Sequence, residues 1–171
     1  QVDLTLRLGD RRVSDPFVSV MGIEKTVVLA GPEAPVQSLS LESLQNIFNG
    51  EIANWRDLPE VIEAGIEFNQ PIPTLSYPEG HELRLLFQSA VLADEVIASG
   101  PLIFSTEAAL ADLLETNPTA IGYTLESLAP MGAQRVTIRG LEMARVQHKV
   151  LAVTLEEPAG KLRQLLLCLQ N

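Results

Sequence analysis

The stretch Ser38-Leu39-Ser40-Leu41-Glu42-Ser43-Leu44-Gln45-Asn46-Ile47-Phe48-Asn49-Gly50, continued by Glu51-Ile52-Ala53-Asn54-Trp55-Arg56-Asp57-Leu58, decides the fold. Leu41, Leu44, Ile47 and Phe48 recur at helical spacing, so one helix face is apolar. Ser40 is the N-cap, because its hydroxyl can accept from an orphan amide of the first turn. Gly50 stops the helix, where a left-handed residue satisfies its last carbonyls. The turn that follows carries Trp55, the sole tryptophan, read as a core anchor rather than a stacking platform for a ligand.

Strand and helix signals alternate on both sides of this segment. Val2 to Leu8 alternates apolar and polar, as a half-buried strand does, and Gly9 to Arg12 is a loop. Phe17 to Met21 and Glu24 to Leu29 are β-rich runs separated by Gly22. Downstream, Pro71 to Ser76 is a short strand. A helix starts at Gly80 and buries Leu83, Leu86, Phe87 and Val91. Ser105 or Thr106 caps a further helix with Ala108, Leu110, Leu113 and Leu114 inside, and Asn117-Pro118 breaks it. Ala120 to Thr124, Arg135 to Ile138 and Val150 to Thr154 are strands. Pro158 to Leu169 is the last helix, with Leu162, Leu165, Leu166 and Leu169 on its buried side. Such alternation predicts an α/β sheet protein. Pro, Gly and Glu gather around 30 to 37, a candidate hinge.

Composition narrows the function. The net charge is −10, from 22 acidic and 12 basic residues in a chain of 171. A nucleic-acid partner is not expected, since the longest basic cluster is Arg11-Arg12. Cys168 is the one cysteine, so no intrachain disulfide can form, and its place in the last apolar pattern predicts a buried thiol. No run is long enough to cross a bilayer as a helix. Gln1 to Arg12 is unlike a signal peptide, although a removed one leaves the same trace. No histidine-rich metal motif, nucleophile elbow or Walker loop is present. The expectation is no metal, no cofactor and no catalysis.

Four blocks resemble, in order and spacing, the phosphate-type periplasmic solute-binding proteins of ABC importers, in the type II periplasmic-binding superfamily. Glu24 to Pro35 is similar to the crossing strand that leads into the family's second lobe. Leu39 to Leu58 is similar to its helix-Gly-x-I-x-N-W-x-D-L segment. Asn117 to Tyr123 (N-P-T-A-I-G-Y) resembles its N-P-G-A-I-G-Y turn and strand. Leu151 to Leu169 resembles its closing strand and C-terminal helix. The resemblance implies a partial first lobe from residues 1–30 and 150–171, and a complete second lobe, residues 31–149. The family's opening strand and Gly-Ser-Ser/Thr loop have no counterpart here, so the first lobe reads as truncated.

The loop that supplies the family's second-lobe ligands, Arg-x-x-Gly-Ser-Gly-Thr-Arg-x-x-Phe, is replaced here by Tyr77-Pro78-Glu79-Gly80-His81-Glu82-Leu83-Arg84-Leu85-Leu86-Phe87. The ligand arginine has become Tyr77, the serine His81, the middle glycine Glu82 and the threonine Leu83. Each lost charge-assisted hydrogen bond costs about 1.5–3 kcal/mol. Glu79 and Glu82 also suit the helix dipole themselves and compete with an external anion. Tight phosphate binding is therefore not expected. The candidate ligand residues are Tyr77, Glu79, Gly80, His81, Glu82 and Arg84, with Asp10 and Arg11 from the first lobe. Two readings stand side by side: a remodelled pocket for another small solute, or an exposed loop that binds none. Arg84 either meets an anion or pairs with Glu82 or another acid, and His148 reads as structural. The resemblance implies ABC transporter membrane subunits as partners and a periplasmic or extracytoplasmic location, with a lipoprotein anchor as one form of it. The alternative is a non-binding scaffold or sensory module that forms a homodimer.

Overall fold

The computed structural model describes residues 4–93, 95–98 and 100–169, and the chain divides into two compact units. The first comprises residues 1–25 and 147–171, the second residues 26–146. Val2 and Asp3 of the first expected strand lie outside the described residues.

In the first unit, β1 (Thr5–Leu8) pairs antiparallel with β8 (Gln147–Thr154). β8 pairs in turn with the Phe17–Lys25 part of β2 (Phe17–Ala30). The expected break at Gly22 is not a break. The register shifts between Val20 and Gly22, so the strand absorbs one extra residue as a bulge and continues. Helix α5 (Gly160–Leu169) completes this unit. Of the four leucines expected on its buried side, Leu166 is buried, Leu162 is partly covered, and Leu165 and Leu169 are about half exposed. Cys168 is exposed as well, against the expected buried thiol. Spacing identifies a face that could be buried; how much of it is covered depends on what packs against it.

The second unit holds most of the apolar core. Here β2 contributes Thr26–Ala30, flanked by β6 (Ile121–Leu125) and β7 (Gln134–Arg139), both antiparallel to it. β3 (Ser38–Ser40) adds to β7 in parallel. Leu29, Ala30, Ile121 and Tyr123 are fully buried, as befits strands covered on both faces. Gly31 follows β2 where a Cβ would lie 2.3 Å from the Pro118 carbonyl oxygen, so only glycine fits there.

Helix α1 (Leu41–Phe48) is capped as expected: the Ser40 hydroxyl accepts from the Ser43 amide at 3.0 Å. Leu44, Ile47 and Phe48 are buried, and Gly50 has φ +86°. Trp55 opens a 3-10 turn (Trp55–Asp57), is fully buried, and donates from Nε1 to the Thr119 carbonyl at 2.9 Å. This bond joins two sequence blocks that lie 64 residues apart. Helix α2 (Pro59–Glu63) follows.

The strand expected over Pro71 to Ser76 shortens to β4 (Leu75–Ser76), with isolated bridges at Pro71 and Thr74. Pro71 and Pro73 carry no amide hydrogen, so no continuous ladder can form there. β4 pairs in parallel with β5 (Leu102–Ile103). Helix α3 (Glu82–Val91) begins two residues later than expected, because His81 rather than Gly80 is its cap. Helix α4 (Glu107–Thr116) is capped by Thr106 and buries Leu110 and Leu114, while Ala108, expected inside, is exposed.

Candidate functional site

Six of the eight candidate residues come together at the start of α3, all within the second unit. β4 delivers the chain into a buried environment. Ser76 is fully buried, its hydroxyl 2.9 Å from the Tyr123 hydroxyl, and it donates to the Tyr77 carbonyl at 3.2 Å. Tyr77 follows with only 6% of its surface exposed, its hydroxyl 2.8 Å from that of Thr124. Its ring stacks on His81 at 4.3 Å between centroids, 15° from parallel, and meets Phe104 at 4.4 Å.

A tight turn comes next. The His81 amide donates to the Pro78 carbonyl at 3.1 Å, and Gly80 adopts φ +79°, which a side chain would strain. Glu79, Gly80 and His81 are exposed, and Glu82 is partly so. The His81 Nδ1 accepts from the Leu83 amide at 3.2 Å and so caps α3. Arg84 turns back under the loop. It is 8% exposed and donates from Nη1 to the Tyr77 carbonyl at 3.2 Å. Its Nε is buried with no hydrogen-bond partner among the described residues. Arg84 thus braces the loop backbone from beneath.

The electrostatics of this cluster follow from burial. Burial pushes the Tyr77 phenol above its ordinary value of 10.0, partly opposed by the Thr124 hydrogen bond. Burial raises the Tyr123 phenol further, to about 12, with the Ser76 bond and the Arg84 guanidinium acting the other way. Both phenols are therefore neutral hydrogen-bonding groups near neutral pH. The loop presents carboxylates, an imidazole and an aromatic stack at its surface, with one cation beneath it. Among the described residues, no group of three or more His, Cys, Asp or Glu is placed to hold a metal ion.

Asp10 and Arg11 lie in the other unit, each engaged locally. Asp10 accepts from Lys149 Nζ at 3.0 Å. Arg11 donates to the carbonyls of Asp15 and Pro16, each at 3.2 Å. Asp15 also binds the guanidinium of Arg7.

Ser76, Phe104, Tyr123 and Thr124 form the back of the loop, and sequence reasoning did not place them there. Tyr123 stood in a recognised block, but nothing local marks a tyrosine for pairing with a serine 47 residues away. A second polar centre was also missed. A depression of about 260 Å³ is lined by Ser40, Ser43, Asn46, Glu60, Glu63 and Arg139, among others. In it Glu60 accepts from the Ser40 amide, the Ser43 hydroxyl and Arg139 Nη2 at 2.7, 2.8 and 3.0 Å. These bonds join α1, α2 and β7.

The family described as the PBP superfamily domain matches residues 10–161. The chain belongs to that superfamily. Solved structures share the fold at low identity. One is described as a phosphate ABC transporter substrate-binding protein with bound phosphate, from Clostridium perfringens. It is 21% identical, with a TM-score of 0.78 over 98% of this chain and 72% of the other. An ABC-type phosphate transport receptor from Vibrio cholerae is 14% identical, with a TM-score of 0.69 over 98% and 73%. The CcmR regulatory domain from Synechocystis, in complex with 2-PG, is 11% identical, with a TM-score of 0.65 over 98% and 72%. No curated protein matches the sequence. The PBP superfamily fold expected from the four blocks is thus the fold observed, and no helix among the described residues is long and apolar enough to cross a membrane.

Proposed function

We propose that this PBP superfamily chain is an extracytoplasmic solute-binding domain, working with the membrane subunits of an ABC importer, whose second unit does not hold phosphate tightly. The wall is built from Tyr77, Glu79, Gly80, His81, Glu82 and Arg84, with Glu79, Gly80, His81 and Glu82 reaching the surface and Tyr77 and Arg84 supporting them from beneath. Its task is binding, not catalysis, and it needs no cofactor. Asp10 and Arg11 enter the proposal as a separate pair in the first unit, each already engaged locally.

The observation that carries this reading is the cap of α3. A helix start that binds an oxyanion leaves its amides and dipole for the ligand. Here the His81 imidazole accepts from the Leu83 amide, and Glu79 and Glu82 add negative charge at the same end. Tyr77 is turned inward to Thr124. No loop hydroxyl or arginine is left at the surface to replace what the family's loop supplies. Titration calorimetry with inorganic phosphate tests the reading: no heat of binding is expected at micromolar concentrations, and sub-micromolar affinity would overturn it. A thermal-shift screen of small solutes at millimolar concentration then identifies a ligand by mass action.

One observation favours a second reading, a scaffold that pairs with a further copy of the chain. Of the eighteen large apolar side chains exposed among the described residues, nine fall in the first unit: Leu6, Val13, Phe17, Val20, Ile23, Leu155, Leu165, Leu167 and Leu169. Where such side chains lie side by side they form the kind of surface that marks an interaction site. Sedimentation equilibrium over a hundredfold concentration range separates the readings, since monomer throughout rules out the scaffold dimer.

A further inference from the structure

We infer that His81 is a proton-operated cap, holding the first turn of α3 in place only while its imidazole is neutral. The inference goes beyond the proposed binding role and stands whether or not the loop takes a solute.

It starts from one atom. Nδ1 of His81 accepts a hydrogen bond from the Leu83 amide. An accepting nitrogen must carry a lone pair, so the ring is neutral with its proton on Nε2. An imidazolium has two donors and no acceptor. Protonation would set a donor against the donor of Leu83 and add positive charge to the positive end of a helix dipole. The ring must then turn away from the amide. That same ring lies flat on Tyr77, so a change in its charge or orientation is felt by the Tyr77 ring. One proton therefore removes the contact that caps α3 and alters the ring that covers Tyr77. His81 is exposed, so the proton arrives directly from solvent, and imidazole is the side chain that titrates between weakly acidic and neutral pH.

The surrounding groups do not remove the effect. Glu79 and Glu82, on the loop and on α3, attract a charged ring. The acceptor in place for the Leu83 amide is nonetheless His81 Nδ1. Arg84, on α3, adds positive charge below the loop. Arg145, on the 3-10 turn Met143–Val146 packed against α3, is exposed and solvated. Tyr77 beneath the ring and Tyr123 behind it are neutral in this range. The remaining contact of the Tyr77 ring, Phe104, carries no charge. Ordinary N-caps (Ser, Thr, Asn) do not titrate there, so this helix start has a sensitivity that Ser40 and Thr106 do not give α1 and α4.

NMR of the full chain labelled with nitrogen-15 tests this between about pH 8 and pH 5. At the upper end, the His81 ring should show a lone pair on Nδ1 and a proton on Nε2. As the ring protonates, the protection factor of the Leu83 amide should fall about fivefold, the usual worth of a cap, and the Tyr77 ring resonances should move with it. His81→Asn supplies a cap that does not titrate, so protection should persist at every pH. His81→Ala should lack it throughout. A lone pair found on Nε2 at the upper end overturns the proposal. So does a Leu83 protection factor that is constant through His81 protonation, or one that falls equally in the His81→Asn protein.

Discussion

The hydroxyl groups of Tyr77 and Thr124 lie 2.8 Å apart, both buried, joining a loop residue to β6 across 47 positions of sequence. Tyr77, expected from the sequence pattern to face a ligand, is a side chain turned into the core. Its phenol is spent on internal structure.

Removing that hydroxyl should cost stability. Tyr77→Phe leaves Thr124 without its partner in a dry environment, and an unsatisfied buried group costs about 1–3 kcal/mol. Chemical denaturation should report a loss in that range. Adding Thr124→Val should recover part of it, because both polar partners are then gone.

Trp55 fixes the turn after α1 to the Asn117–Tyr123 block through Nε1 and the Thr119 carbonyl. Trp55→Ala should cost about 3–5 kcal/mol, the usual range for a fully buried large aromatic. Trp55→Phe should cost less, since most of the volume stays and only the hydrogen bond and one ring are lost. Thermal melts of the two variants give the order.

The chain has two tyrosines, and both resist ionisation in the folded state. A phenol whose folded pKa is raised adds stability that is fully present below the ordinary value of 10.0. That stability disappears as pH climbs toward about 12, the value for Tyr123. Ultraviolet titration should therefore show little tyrosinate absorbance near pH 10 while the fold persists. It should show a sharp rise, coincident with loss of circular dichroism, above it.

Glu60 behaves in the opposite sense. Burial would raise its pKa, but hydrogen bonds from the Ser40 amide, its own backbone amide, and the Ser43 and Ser40 hydroxyls together hold it below the ordinary 4.5. The contribution is present above about pH 4.5 and is lost as pH falls through the lower folded value. Glu60→Gln should be less stable than the parent at pH 7. The difference should shrink on acidification below about pH 4, as followed by urea midpoints.

Much of the fold was legible because it rests on local rules. Ser40, Gly50 and the Leu44–Ile47–Phe48 face specify α1 wherever it is placed, and Trp55 is too large to sit well outside a core. The strand expected over Ala120 to Thr124, after the Asn117-Pro118 break, forms one residue along as Ile121–Leu125. What stayed hidden depends on pairing at long range. The Val20/Gly22 bulge depends on β8, and the exposure of Leu165, Leu169 and Cys168 on what covers α5. At the loop, the residues themselves could be named from the sequence. Their roles could not: that Tyr77 points inward, that His81 caps, and that Arg84 braces a carbonyl are facts about partners. Thr124, Ser76 and the Glu60 centre gave no local signal at all.

Cys168 bears on how the molecule can be studied. As the sole thiol, exposed near the end of α5, it offers one attachment point for a maleimide dye or spin label without any engineered cysteine. A probe there reports from the first unit, while Trp55 supplies the single tryptophan in the second. The wild-type chain therefore already carries a donor and a unique acceptor position for distance measurement by energy transfer.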